Sequence, residues 1–216
     1  MKIGILISGR GSNLKALINA CEEPGFRGHI ALVISNRPGA AGLDIAKAAG
    51  IPTLVIDHKE FTTRETFDAE LDRALTKAGV ELVCNAGFMR ILTDGFVEKW
   101  RDRQLNIHPS LLPAFKGLHV HQRALDAGVR ITGCTVHFVR PEMDEGPIVA
   151  QAAVPVLPGD TAETLAARIL EAEHKLYPLA LRLVVEGRAR VVGEHVVLND
   201  VDGTDIPAPL FMPTLQ

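Results

Sequence analysis

Long apolar runs are missing from this chain. No stretch of its 216 residues reaches the roughly 18 consecutive apolar side chains that a membrane-spanning helix needs. The opening Met-Lys-Ile-Gly-Ile-Leu-Ile leads into a strand-like segment and has no signal-peptide cleavage region. Basic runs are missing too. A net charge of −3 and a pI near 6.2 give no electrostatic reason to expect nucleic acid or an anionic membrane as a partner. Cysteine is scarce: Cys21, Cys84 and Cys134 are odd in number, far apart and without metal-ligand spacing. That pattern fits reduced thiols in a cytoplasmic protein. No internal repeat, low-complexity block or linker divides the chain. What remains is ordinary for a soluble globular domain, with 47% apolar and 23% charged residues and length enough for a substantial core.

The first half alternates strand and helix patterns. Lys2 to Ile7 is a short, nearly continuous apolar run, as expected of a strand buried on both faces. Gly9-Arg-Gly-Ser-Asn13 follows, and then Leu14, Leu17 and Ile18 recur at helical spacing. A Gly-rich turn opening a helix suits a phosphate, because the exposed amides and the helix dipole favour an anion. The same letters also suit a tight turn with Ser12 or Asn13 as helix N-cap. A dinucleotide site is disfavoured: Leu14 stands where a third Gly is wanted, and the second strand, His29 to Ser35, ends at Asn36 rather than an acid. Further strands are expected at 51–56, 81–86 and 103–107, with helices at 40–49, 61–79 and from Thr93 or Asp94 to Trp100. Such alternation predicts a doubly wound, mostly parallel α/β sheet whose ligands sit at the strands' carboxyl ends. Three loops fall on that edge: Gly9–Asn13, the apolar Gly87–Leu92 and Asn106–Ser110.

Gln104-Leu-Asn-Ile-His108 is the stretch of greatest chemical interest. Strand alternation sends Asn106 and His108 to one face and Leu105 and Ile107 to the other. An amide and an imidazole side by side can donate to one oxygen, and the imidazole can move a proton near neutral pH. By itself the pair also fits a capped strand end with a core histidine. The long loop 110–121 contains His119-x-His121, but no carboxylate or Cys stands at ligand spacing, so loop packing is favoured over metal. Residues 130–139 and 148–156 read as a strand hairpin around the acidic turn 140–147. Asp144 on that turn is either solvated or, if the turn reaches over the sheet edge, positioned to stabilise an imidazolium at His108. Asp160 and Glu163 resemble a capping box, ahead of a helix with Leu165, Ile169, Ala172, Leu176, Leu179 and Leu183 on its core face. Pro178 should kink or locally break it. Glu173 lies beside that stripe, where an exposed acid is the simple reading. A small hairpin over 188–198 and a Pro-containing tail from Asp200 complete the chain. The letters leave Leu112–Pro113 open: its place beside a site suits cis, while the general preference of X–Pro bonds is trans.

Taken in order, Gly9-x-Gly-Ser-Asn13, Phe88-Met-Arg-Ile-Leu92, Asn106-x-His-Pro-Ser-Leu-Leu-Pro113, Gly133-x-Thr-Val-His-Phe-Val139 and Met143-Asp-x-Gly-Pro147 span nearly the whole sequence. Together they resemble the folate-dependent phosphoribosylglycinamide formyltransferase family of purine biosynthesis. The resemblance implies a Rossmann-like formyltransferase fold with antiparallel strands in the C-terminal half. It implies one domain over residues 1–200, with nucleotide and phosphate binding in 1–100 and folate binding and catalysis in 101–200, before a tail at 201–216. It also implies formyl transfer from 10-formyltetrahydrofolate to glycinamide ribonucleotide, without a metal, in a cytoplasmic monomer or homodimer. Carried over residue by residue, the catalytic trio is Asn106, His108 and Asp144. The nucleotide would be held by Gly11, Ser12, Asn13 and Glu173, and the folate by Arg64, Met89, Arg90, Ile91, Leu92 and Asn106. Glu145, where many members carry Gly, and Leu170, where some carry a polar residue, depart from the pattern. Two related activities fit less well. Methionyl-tRNA formyltransferases carry an added C-terminal barrel, and formyltetrahydrofolate deformylases carry an added N-terminal domain. A non-catalytic nucleotide- or folate-binding module would have no need of the trio.

Overall fold

Alternate residues of the first strand enter two different cores, and the architecture follows from that. In the computed structural model, which describes residues 1–199 and Met212, β1 (Lys2–Ile7) sends Ile3, Ile5 and Ile7 to one side and Leu6 to the other. A strand apolar on both faces must be covered on both faces. Four further strands run parallel to it: β2 (His29–Ser35), β3 (Thr53–Val55), β4 (Leu82–Asn85) and β5 (Gln104–His108). Two more, β6 (Ile131–Phe138) and β7 (Ile148–Pro155), extend the sheet antiparallel, giving the order β3-β2-β1-β4-β5-β6-β7. The order reverses between β1 and β4, which is where a doubly wound sheet opens a crevice at its carboxyl edge. The expected fold class is the observed one.

One face is covered by α1 (Ser12–Cys21), α2 (Gly42–Ala48), α5 (Val120–Asp126) and α6 (Ala162–Val185), the other by α3 (Arg64–Lys77) and α4 (Asp94–Lys99). A separate two-stranded hairpin, β8 (Ala189–Val192) with β9 (His195–Leu198), packs beside α6 and β7. No helix among the described residues is long and apolar enough to cross a membrane. The predicted tail from Asp200 lies outside the described residues, Met212 apart.

Several local expectations are corrected. Gly11, not Ser12 or Asn13, is the N-cap of α1, with φ +77° and no side chain where it packs on α2: a Cβ there would lie 2.5 Å from Gly42 Cα. At α6 the capping box is Thr161 with Thr164. Asp160 is drawn away from that role by Arg168, which holds its carboxyl well below the usual carboxylate range. Helix α6 runs unbroken through Pro178, because Leu176, Tyr177, Ala180 and Leu181 on either side are all buried against the sheet. Leu179, expected in that stripe, is half exposed, and Tyr177 takes its place in the core. Its hydroxyl faces the carbonyls of Asn85 and Leu105 at 3.1 and 3.2 Å, linking the helix to β4 and β5. The Leu112–Pro113 bond, which the letters leave open, is cis. Leu112 is held on both sides, its N–H donating to Thr135 Oγ1 and its carbonyl accepting from Gln151 Nε2.

Candidate functional site

The carboxyl end of β5 organises the site. Leu105 and Ile107 join the core beneath α1 and α6, so Asn106 and His108 face the opposite way. Neighbouring β6 runs antiparallel, with His137 opposite Asn106 and Thr135 opposite His108. Beyond β6 the chain leaves the sheet at Val139 and returns at Ile148. Arg140 anchors the start of this excursion, with its guanidinium buried and bonded to Asp102 at 2.7 Å and Glu194 at 2.8 Å. Gly146 lets the excursion lie flat, since a Cβ there would meet Phe138 O at 1.7 Å. Asp144, at φ +57°, is thereby carried back over the sheet to His108. A second loop, 109–119, closes from the other side, and it too has left-handed residues, at Phe115 and His119. Non-glycine residues in that region are held there by surrounding contacts and cluster at functional sites.

The polar geometry is specific. His108 Nε2 lies 3.0 Å from Phe115 O and its Nδ1 lies 3.4 Å from Asp144 Oδ2. A neutral imidazole has one N–H and satisfies one of these acceptors; the doubly protonated ring satisfies both. Asp144 Oδ2 also accepts the Gly117 N–H at 2.8 Å, which ties the two loops together. Glu145, the departure noted above, adds an ion pair to Lys116 at 2.7 Å between the same loops. Sequence reasoning gave no site role to His137, although it is almost wholly buried and touches the trio. Burial holds its imidazole below the usual histidine range, so it is neutral near pH 7. With Nδ1–H donating to Phe138 O at 3.0 Å, Nε2 is left as an acceptor, 3.3 Å from Asn106 Nδ2. One N–H of the Asn106 amide is therefore used to fix its orientation, and the other is left to face the site.

Gly11, Ser12, Asn13 and Glu173 are brought together in one cavity of about 430 Å³, together with Met89, Ile107 and His121. Glu173 is buried rather than an exposed helix acid; burial pushes its carboxyl up, while the Asn13 amide, donating at 2.7 Å, opposes this. Asn13 Oδ1 is buried without a hydrogen-bond partner among the described residues. Arg64, Ile91 and Leu92 share a second cavity of about 730 Å³ with Thr93 and Pro141. Thr63 caps α3 and sets Arg64 at its first turn, and Asp68 pins the end of the 88–92 loop by accepting the Thr93 N–H at 2.6 Å. The Arg90 side chain turns under the loop, its guanidinium 5.2 Å from the centre of the Phe67 ring. Among the described residues no three His, Cys, Asp or Glu side chains are grouped to hold a metal ion. His119 instead stands at the N-terminus of α5, and burial lowers His121. The cysteines are poor nucleophiles, as burial pushes Cys21 and Cys134 up to about 12 and Cys84 higher. An amide, an imidazole and a carboxylate around one strand end can stabilise a developing oxyanion and relay a proton.

The formyl transferase family model matches residues 1–181. Over 207 residues the chain is 42% identical to phosphoribosylglycinamide formyltransferase of Escherichia coli (strain K12), covering 96% of each. It is 56% identical over 191 residues to the trifunctional purine biosynthetic protein adenosine-3 of Gallus gallus, covering 88% of this chain and 19% of that protein. The chain therefore spans about a fifth of the length of that multifunctional relative. Among solved structures, glycinamide ribonucleotide transformylase 1 from Symbiobacterium toebii superposes with a TM-score of 0.90 at 50% identity, covering 93% of this chain and 94% of the other.

Proposed function

The chain belongs to the formyl transferase family, and from that we propose that it moves the formyl group of 10-formyltetrahydrofolate onto the primary amine of glycinamide ribonucleotide. The products are formylglycinamide ribonucleotide and tetrahydrofolate, as in purine biosynthesis. The observation that carries this reading is the meeting of Asp144, from the 140–147 excursion, with His108, which shares one face of β5 with Asn106. The amine attacks the formyl carbon, so a C–N bond forms and negative charge develops on the formyl oxygen. Asn106 offers its remaining amide N–H to that oxygen. His108, doubly protonated, exchanges the Phe115 carbonyl for the same oxygen. Each such donor is worth about 2.7–4 kcal/mol when the charge develops in a site that excludes water. The intermediate then collapses by breaking its bond to the folate nitrogen, and the proton lost by the amine passes to that nitrogen through Asp144 and water. No covalent enzyme intermediate is required, in keeping with the weakly acidic thiols of Cys21, Cys84 and Cys134.

The nucleotide fits the cavity of Gly11, Ser12, Asn13 and Glu173, with its phosphate at the start of α1 and its ribose towards Glu173. The folate ring fits the apolar loop Met89–Leu92, with Arg64 facing its carboxylate tail across the second cavity. Every residue in this scheme comes from one chain, so it operates in a monomer or in each half of a homodimer. Three free cysteines suit a cytoplasmic setting. The decisive assay supplies purified protein with 10-formyltetrahydrofolate, with and without glycinamide ribonucleotide. Tetrahydrofolate released only with the nucleotide supports the proposal. Release without it would assign a deformylase, and no release in either case a binding module.

A further inference from the structure

Two arginines line the cavity read above as the nucleotide site, and no described residue is bonded to their guanidinium groups. Arg10 follows β1 and Arg37 follows β2, and the register of these strands, Ile7 opposite Ser35, sets both loops side by side on the carboxyl rim. Their backbones are pinned. The Gly42 N–H donates to Gly9 O at 3.0 Å, and Ser35 Oγ accepts the Arg37 N–H at 3.0 Å while donating to Arg37 O at 2.8 Å. Their side chains, in contrast, have neither a hydrogen bond nor an ion pair with any described residue.

The rest of the cavity wall explains why this matters. The α6 side presents Ala166 and Leu170, which carry no charge. Its one acid, Glu173, is buried against Asn13, and burial favours the neutral carboxyl. The rim is therefore cationic, with two like charges on one cavity that repel each other until an anion is shared between them. Arginine suits this task because its planar fork of donors matches a phosphate bidentately. We propose that Arg10 and Arg37 form a two-armed clamp on the substrate's phosphate, supplying from the β1 and β2 loops the charge that Leu170 does not supply from α6. The clamp makes the site selective for a phosphate monoester dianion over an uncharged riboside. The inference rests on the reading of this cavity as the nucleotide site, and it goes beyond the backbone amides of the Gly-rich turn.

The test uses Arg10→Gln, Arg37→Gln, the double variant and Arg10→Lys, measured in two ways. Steady-state formyl transfer reads the KM for glycinamide ribonucleotide separately from kcat and from the folate KM. Isothermal calorimetry with ribose 5-phosphate reads phosphate binding without any transfer. Each single Gln variant should raise the nucleotide KM and the ribose 5-phosphate Kd by about tenfold, and the double variant by about a hundredfold, as for lost charge-assisted hydrogen bonds. The folate KM should stay within twofold, kcat should fall by much less than KM rises, and Arg10→Lys should recover part of the loss. Wild-type protein that transfers no formyl group, yet loses ribose 5-phosphate affinity in the variants, would keep the clamp and refute the proposed reaction. Active protein whose Gln variants keep both constants within twofold would refute the clamp, as would wild-type protein that does not bind ribose 5-phosphate at millimolar concentration.

Discussion

Replacing His137 with Phe separates orienting a catalytic group from being one. The substitution keeps a buried ring of similar size and removes the Nε2 acceptor that lies 3.3 Å from Asn106 Nδ2. Because burial keeps this imidazole neutral, the lost interaction is a hydrogen bond between uncharged groups, worth about 0.5–1.5 kcal/mol. If the whole of it serves to aim the amide, kcat should fall by up to about tenfold, since 1.4 kcal/mol corresponds to a factor of ten. Removing the amide itself, in Asn106→Ala, should cost about 2.7–4 kcal/mol, or roughly a hundredfold to a thousandfold. The two effects act through one group and must not add. The double variant should therefore be no slower than Asn106→Ala, giving a coupling energy of about 1 kcal/mol. The assay is kcat at saturating nucleotide and folate for all four proteins, with thermal melts to confirm folding. A His137→Phe effect that multiplies in full on the Asn106→Ala background would refute the orienting role. So would a single His137→Phe variant slower than Asn106→Ala.

Three other perturbations probe different links. Gly146→Ala puts a Cβ 1.7 Å from Phe138 O and must displace the excursion that carries Asp144, so kcat should drop by about a hundredfold, as expected for a misplacement near 1 Å; unchanged kcat would mean that the excursion does not position Asp144. Gly11→Ala combines φ +77° with a Cβ 2.5 Å from Gly42 Cα, and should lose at least about 1–2 kcal/mol of stability from the backbone conformation alone, visible in denaturant melts. Burial raises the Glu173 carboxyl above its ordinary 4.5, so the unfolded chain gives up this proton first as pH rises. Its contribution to stability is thus fully present below about pH 4.5 and lost as pH climbs through the folded value. Melts of Glu173→Gln against wild type should show the variant gaining relative stability between pH 4 and pH 8, and a pH-independent difference would contradict the burial argument.

Much of this was legible in the letters because it depends on local rules. Alternation in Gln104–His108 put Asn106 and His108 on one face, and the succession of short apolar strands and amphipathic helices led to the parallel sheet with its ligand edge. What was not legible depends on contacts between distant segments. Whether Asp144 was solvated or turned inward rested on Gly146 lying under Phe138 and on Arg140 reaching Asp102 and Glu194. The role of His137 depends on the register between β5 and β6, which no local pattern reveals; its place two residues from Thr135 on an alternating strand is the available signal. At α6 two residues could each have been the cap, and the choice fell to Thr161 because Asp160 was occupied by Arg168. A Gly-rich turn accounts for Gly11 locally, yet what demands glycine there is the approach of Gly42 at the start of α2, far along the sequence.

The central claim is that a carboxylate delivered by the 140–147 excursion works with the imidazole at the end of β5. Asp144→Asn keeps the shape of that side chain and removes its charge and basicity. Measured at saturating substrates, kcat should fall by about a hundredfold to ten-thousandfold, while the calorimetric Kd for glycinamide ribonucleotide stays within twofold of wild type. A kcat close to wild type in a folded, nucleotide-binding Asp144→Asn protein would contradict the account.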